Sequence, residues 1–191
     1  MAEQKFDVKL SWFDTITLTA GYIVTYTMTM GFIKPTQNIL LSEVAPQIGL
    51  LFLPHGIRVL GFHYFGWKAI IYLLPGAYIM WILSVFGNNV PLHPLAPIAS
   101  ISATYLGVVF AKFLFERRYA ASKPTEWKFL LFSGFVSSIT NAASLSFLQH
   151  PNDIIRSMIG YVTGDMAGMA LCLIAIMYFF RFLRHYKEFS D

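Results

Sequence analysis

Cysteine is almost missing from this chain of 191 residues, with Cys172 the sole example. A single thiol excludes an internal disulfide and any cysteine-ligated iron–sulfur or structural zinc site, and within an apolar stretch it reads as an inert packed side chain. Charge is scarce too: 13% of residues carry one, against about 25% in a soluble globular domain. That shortage, with 56% apolar residues, excludes a disordered chain, a coiled coil and an ordinary soluble enzyme. Catalytic signatures are also lacking. No HExxH, GxSxG, P-loop or glycine-rich dinucleotide motif occurs, and Asp165 is the only carboxylate deep in an apolar run. His55 and His63 share one segment, while His93, His150 and His185 fall in loops or the tail, so no pair is placed for haem. The chain therefore reads as a non-enzyme without metal or cofactor.

What the sequence does have is length without charge. Residues 15–33, 69–111 and 129–152 form uncharged runs of 19, 43 and 24 residues, and a bilayer-spanning helix needs about 20 predominantly apolar residues. The fold class is accordingly an all-α polytopic membrane helix bundle. The first run is too long for a signal-peptide core and reads as a retained helix. It is predicted to stop at Lys34-Pro35. Further helices are predicted over 45–67, 68–86, 95–115, 127–148 and 153–184, the second interrupted by Pro46, Pro54, Gly56 and Gly61. The loop 87–94, rich in Gly, Asn and Pro, divides the longest run.

Lysine and arginine bias sets the orientation, because short basic loops stay cytoplasmic. With six spans and the amino terminus inside, Lys5, Lys9, Lys68, Lys112, Arg117, Arg118, Lys123, Lys128, Arg181, Arg184 and Lys187 fall on the cytoplasmic side, and only Lys34 and Arg156 fall outside. The expected layout is a cytoplasmic segment 1–14, a six-helix domain 15–184 and a cytoplasmic tail 185–191. Trp12, Trp67, Trp81 and Trp127 are expected at headgroup level. The net charge of +4 is explained by these juxtamembrane residues, so nucleic acid is not an expected partner.

Arg58 and Asp165 stand out, since a charge at bilayer depth costs ~2.5–3.5 kcal/mol on insertion scales. They are expected either to pair, fixing helix register, or to line one polar cavity. His55 and Asn141 are further candidates for a ligand cavity. Ser137, Asn141 and Ser144 share a helical face, although such hydroxyls more often bond carbonyls of their own helix. Gly160, Gly164 and Gly168 are spaced by four, as are Ala99, Ala103, Gly107 and Ala111. Both rows are predicted packing faces, within the bundle or toward a partner.

Several landmarks together resemble the MASE1 group of bacterial integral-membrane sensory domains. They are Pro54-His-Gly56, Phe65-Gly66-Trp67, Leu74-Pro75-Gly76 and Gly164-Asp165-Met-Ala-Gly168. The resemblance covers about residues 40–180. It implies a multi-pass protein of the bacterial inner membrane that receives a ligand or signal and passes it to a separate partner, since no output domain follows Asp191. Two other readings stay open. A substrate-binding subunit of an energy-coupling-factor vitamin transporter is similar in length, in helix number and in its late Gly-Asp-x-x-Gly. A non-catalytic structural subunit of a membrane complex is the third.

Overall fold

The computed structural model describes residues 10–40, 49–87, 91–118 and 126–188. Among them are six helices and no strand: α1 (Trp12–Leu40), α2 (Pro54–Phe65), α3 (Lys68–Gly87), α4 (Ala96–Arg118), α5 (Glu126–Gln149) and α6 (Ile154–Glu188). All but α2 are long and apolar enough to cross a bilayer. Large apolar side chains such as Ile16, Val24, Phe32, Leu106, Phe110 and Ile174 point outward from the bundle. Such a surface suits lipid, and the protein is a multi-pass membrane protein. At about 1.5 Å per residue, the 35 residues of α6 exceed a hydrocarbon core of about 30 Å.

The first predicted helix end is corrected. Helix α1 does not stop at Lys34-Pro35 but continues to Leu40 through a π-helical turn, Thr29–Ile33. Proline cannot donate to the helical ladder, and a local π turn is how membrane helices absorb the defect. Pro75 lies inside α3, where α1 packs closely. Thr19 of α1 donates its hydroxyl to the Tyr72 carbonyl at 2.9 Å. A Cβ on Gly76 would stand 3.0 Å from the Thr19 carbonyl oxygen, so glycine is what lets α1 and α3 approach.

The second correction concerns residues 45–67. Instead of one interrupted helix, residues 49–53 are non-helical and lead into the 12-residue α2, which is about 18 Å long at helical rise. Residues 41–48 lie outside the described part. Non-helical backbone at membrane depth needs partners from protein, and here it finds them. Leu50 N–H donates to Gln37 Oε1 at 2.9 Å, Phe52 N–H to the Gly164 carbonyl at 2.8 Å, and Leu53 N–H to Thr29 Oγ1 at 3.3 Å. Pro54 then occupies the first helical turn, where no N–H is required. Helix α2 ends at Gly66, whose φ of 55° favours glycine.

Helix α2 packs against all five long helices. Its Val59, Gly61 and Phe62 join Tyr22, Leu73, Ile101 and Met169 in the core. One end of the bundle gathers Ser11 with Tyr72, and His63 and Phe115 with Phe129. The other gathers Gln37 with Leu50, Tyr26 with Ser84, and Trp81 with Leu92.

Most of the small-residue positions are packed inside the chain, although Gly160 lines a cavity. Gly164 and Gly168 lie on the backbone of Gly49 and Phe52, and Gly107 lies on Ser137 of α5. Ala103 and Ala111 are buried, Ala99 is half-buried, and Gly160 is buried. Substituting Gly168→Ala would drive a methyl group into the Phe52 peptide, and overpacking of this kind typically costs ~1–3 kcal/mol. Gly31 faces open space. Thermal unfolding in detergent is expected to show a lowered midpoint for Gly168→Ala and little change for Gly31→Ala. Equal midpoints would mean that the segment before α2 does not depend on close contact with α6.

Candidate functional site

Four helices bring polar side chains to one buried line. Arg58, one turn into α2, is 4% exposed. It donates from Nη1 to Ser100 Oγ of α4 at 2.6 Å and from Nη2 to the Tyr22 hydroxyl of α1 at 2.8 Å. Its guanidinium lies 5.3 Å from the ring centres of both Tyr22 and Phe52, where the electron-rich faces attract the cation. Ser100 donates in turn to Asn141 Oδ1 of α5 at 2.6 Å, and Asn141 Nδ2 donates to Asp165 Oδ2 of α6 at 2.7 Å. Asp165 is 2% exposed.

The direct Arg58–Asp165 pair, the first of the two expectations, is not what forms. The charges are joined through Ser100 and Asn141. Arginine can only donate and an ionised carboxylate can only accept. With those two ends set, the Ser100 hydroxyl and the Asn141 amide each have one satisfactory orientation, and every donor in the line points from cation to anion. Hydrogen bonds aligned this way reinforce one another in a low-dielectric interior.

His55 sits on the far side of Asp165. It is fully buried, with Nδ1 3.3 Å from Asp165 Oδ2 but without the alignment of a hydrogen bond. Its Nε2 lies 3.3 Å from the Gly134 carbonyl and 3.2 Å from Ser137 Oγ. His55 supports the carboxylate from behind and does not line the cavity described next.

Arg58, Ser100, Asn141 and Asp165 form the floor of a cavity of about 570 Å³, within the ~300–1,000 Å³ usual for small-molecule sites. Its walls are largely apolar and aromatic, with Tyr26, Phe52, Trp81, Leu145 and Tyr161 among them. Lys34, Gln37, His150 and Arg156 line it toward the end of the bundle where α1 finishes and α6 begins. His150 and Arg156 are exposed, so the cavity opens at that end. Trp81 lines the cavity and donates its indole N–H to the Leu92 carbonyl at 3.3 Å.

Three of the candidates, Arg58, Asp165 and Asn141, are thus brought together at the cavity. Ser137 turns to His55, and Ser144 lies outside the cavity lining. Other hydroxyls behave as expected of membrane helices: Thr25, Thr29, Thr104 and Thr163 bond carbonyls four residues back. Tyr22, Phe52 and Ser100 also surround Arg58 at this candidate site, and sequence reasoning missed them. Tyr22 and Ser100 carry polar groups within apolar runs, but nothing local distinguishes them from Tyr26 or Ser133. No protein-family model, curated protein or solved structure matches the chain.

Asn141 is the pivot between the two charges. Replacing it with Leu would leave Ser100 without an acceptor and Asp165 Oδ2 without a donor, and an unmet buried polar group costs ~1–3 kcal/mol. A double-mutant cycle of Asn141→Leu with Ser100→Ala, read by thermal unfolding, is expected to show coupling of ~0.5–3 kcal/mol. Strict additivity would mean that the line of bonds does not act as a unit.

Proposed function

We propose that this chain is a small-molecule receptor of the MASE1-like sensory type in the bacterial inner membrane. Its ligand enters from the outer face, and occupancy is passed to a separate partner protein. The observation that carries this reading is the polar line from Arg58 to Asp165 at the base of an apolar cavity open at one end of the bundle. Intramembrane ionisable residues mark functional sites by default, and an apolar pocket with a few convergent polar groups is the usual form of a ligand site.

The topology follows from the same charges. Lys34 and Arg156 stand at the open end of the cavity, whereas Lys68, Lys112, Lys128 and Arg184 belong to helix ends on the opposite side. Positive-inside bias places the latter in the cytoplasm. Counting the non-helical stretch together with α2 as one crossing gives six spans and two cytoplasmic termini. Cysteine accessibility in a Cys172→Ser background is the check: Arg156→Cys should react with an impermeant maleimide in intact cells, and Arg184→Cys only after permeabilisation. The opposite pattern would invert the topology.

A transporter substrate-binding subunit would share the cavity. Such a subunit would need small-residue helix faces free for its energising module, and Gly107, Gly164 and Gly168 are instead packed within the chain, which favours the receptor reading. Native mass spectrometry of gently extracted protein is expected to show a bound small molecule in the wild type, with occupancy reduced in Arg58→Lys. A wild type that is empty in every preparation would remove the receptor reading.

A further inference from the structure

The charges at the cavity do not balance. Arg58, Lys34 and Arg156 line it against a single carboxylate, Asp165, among the described lining residues. Asp165 is engaged through Oδ2, which accepts from Asn141 and lies beside His55, while Arg58 keeps N–H groups to spare. A guanidinium has five N–H groups, and the described residues accept from two of them, through Ser100 and Tyr22. Its Nε is buried with no acceptor among the described residues, and an unmet buried donor costs free energy. Both hydrogen-bonding partners it does have are neutral hydroxyls, with the rings of Tyr22 and Phe52 centred 5.3 Å from its Cζ.

Arginine's planar fork matches a carboxylate or phosphate, two oxygens at a time. Cations near an opening raise the local concentration of anions, and Lys34 and Arg156 stand where such a ligand would enter. Above the polar floor, Trp81, Leu92, Leu145 and the ring of Tyr161 offer apolar and aromatic surface to the body of the ligand. We infer that the cavity takes an organic oxyanion, a carboxylate or phosphate ester on an apolar body, with its anionic head held by Arg58. This rests on the receptor reading and narrows it to a ligand class. The oxyanion has two natural sources, a solute from the outer side or the headgroup of an anionic phospholipid.

The test uses the full chain in nanodiscs of phosphatidylcholine and isothermal titration with four probes of similar body. Phenylacetate and phenyl phosphate carry the anion, phenylacetamide is neutral, and phenethylammonium is a cation. At least one anion is expected to bind saturably and at least tenfold more tightly than the amide, with the cation weakest. Arg58→Lys keeps a charge but loses the fork, and should weaken anion binding about tenfold while its thermal unfolding confirms that it folds. Repeating the titration with phosphatidylglycerol in the nanodisc separates the sources: competition assigns the site to a lipid headgroup, and undiminished binding assigns it to a soluble acid. Tighter binding of the cation or amide would overturn the anion assignment while leaving a receptor in place. Anion binding undiminished in Arg58→Lys would also overturn it. Binding of no probe, in protein that native mass spectrometry finds empty, would overturn both.

Discussion

One cation and one anion have to be kept at the centre of an apolar bundle, and the chain does this without letting them touch. Burying an ion is costly unless its geometry and hydrogen bonds are good. Arg58 is held by two hydroxyls and two aromatic faces, and Asp165 by an amide. Because the ends of the line are an obligate donor and an obligate acceptor, Ser100 and Asn141 have no choice of orientation. The line touches α2, α4, α5 and α6 in turn, so rotation of any of these helices by one residue would strand a buried polar group. The polar residues therefore specify the packing of the apolar ones around them.

The incomplete second crossing makes room for the site. Helix α2 occupies only one half of the bundle, while the non-helical stretch before it is pressed against Gly164 and Gly168 of α6. The cavity lies in the other half, where a full-length helix would otherwise stand, and α2 contributes Arg58 to its floor. Pro54 starts α2 at depth, and Gln37, Thr29 and Gly164 satisfy the backbone that a continuous helix would have satisfied itself. Broken helices at membrane depth recur around binding sites for this reason.

Much of the bundle was legible in the chain. The observed α3, α4 and α5 end within three residues of the helices expected over 68–86, 95–115 and 127–148, because the helix cores are set by local hydropathy, length and the Gly/Asn/Pro loop between them. Arg58 and Asp165 were legible as charges out of place, and Asn141 as an amide on the face of α5 that also carries Ser137. The errors share a cause. Pro35 and the prolines near residue 50 signal helix termination locally, yet a π turn carries α1 past the first, and backbone contacts with α6 permit the non-helical entry to α2. His55 was a candidate for the cavity but lies behind the carboxylate, a distinction of helix face that its neighbours in sequence do not encode.

By itself, then, the sequence determined roughly where the long apolar helices run and which two charges lie among them, since these depend on residues adjacent in the chain. Tertiary structure decided how those charges are joined. Arg58 meets Ser100 across 42 residues, Ser100 meets Asn141 across 41, and Asn141 meets Asp165 across 24. A hydrogen bond requires approach to within about 3 Å at a favourable angle, and for partners so far apart in the chain that geometry exists only once the helices have packed.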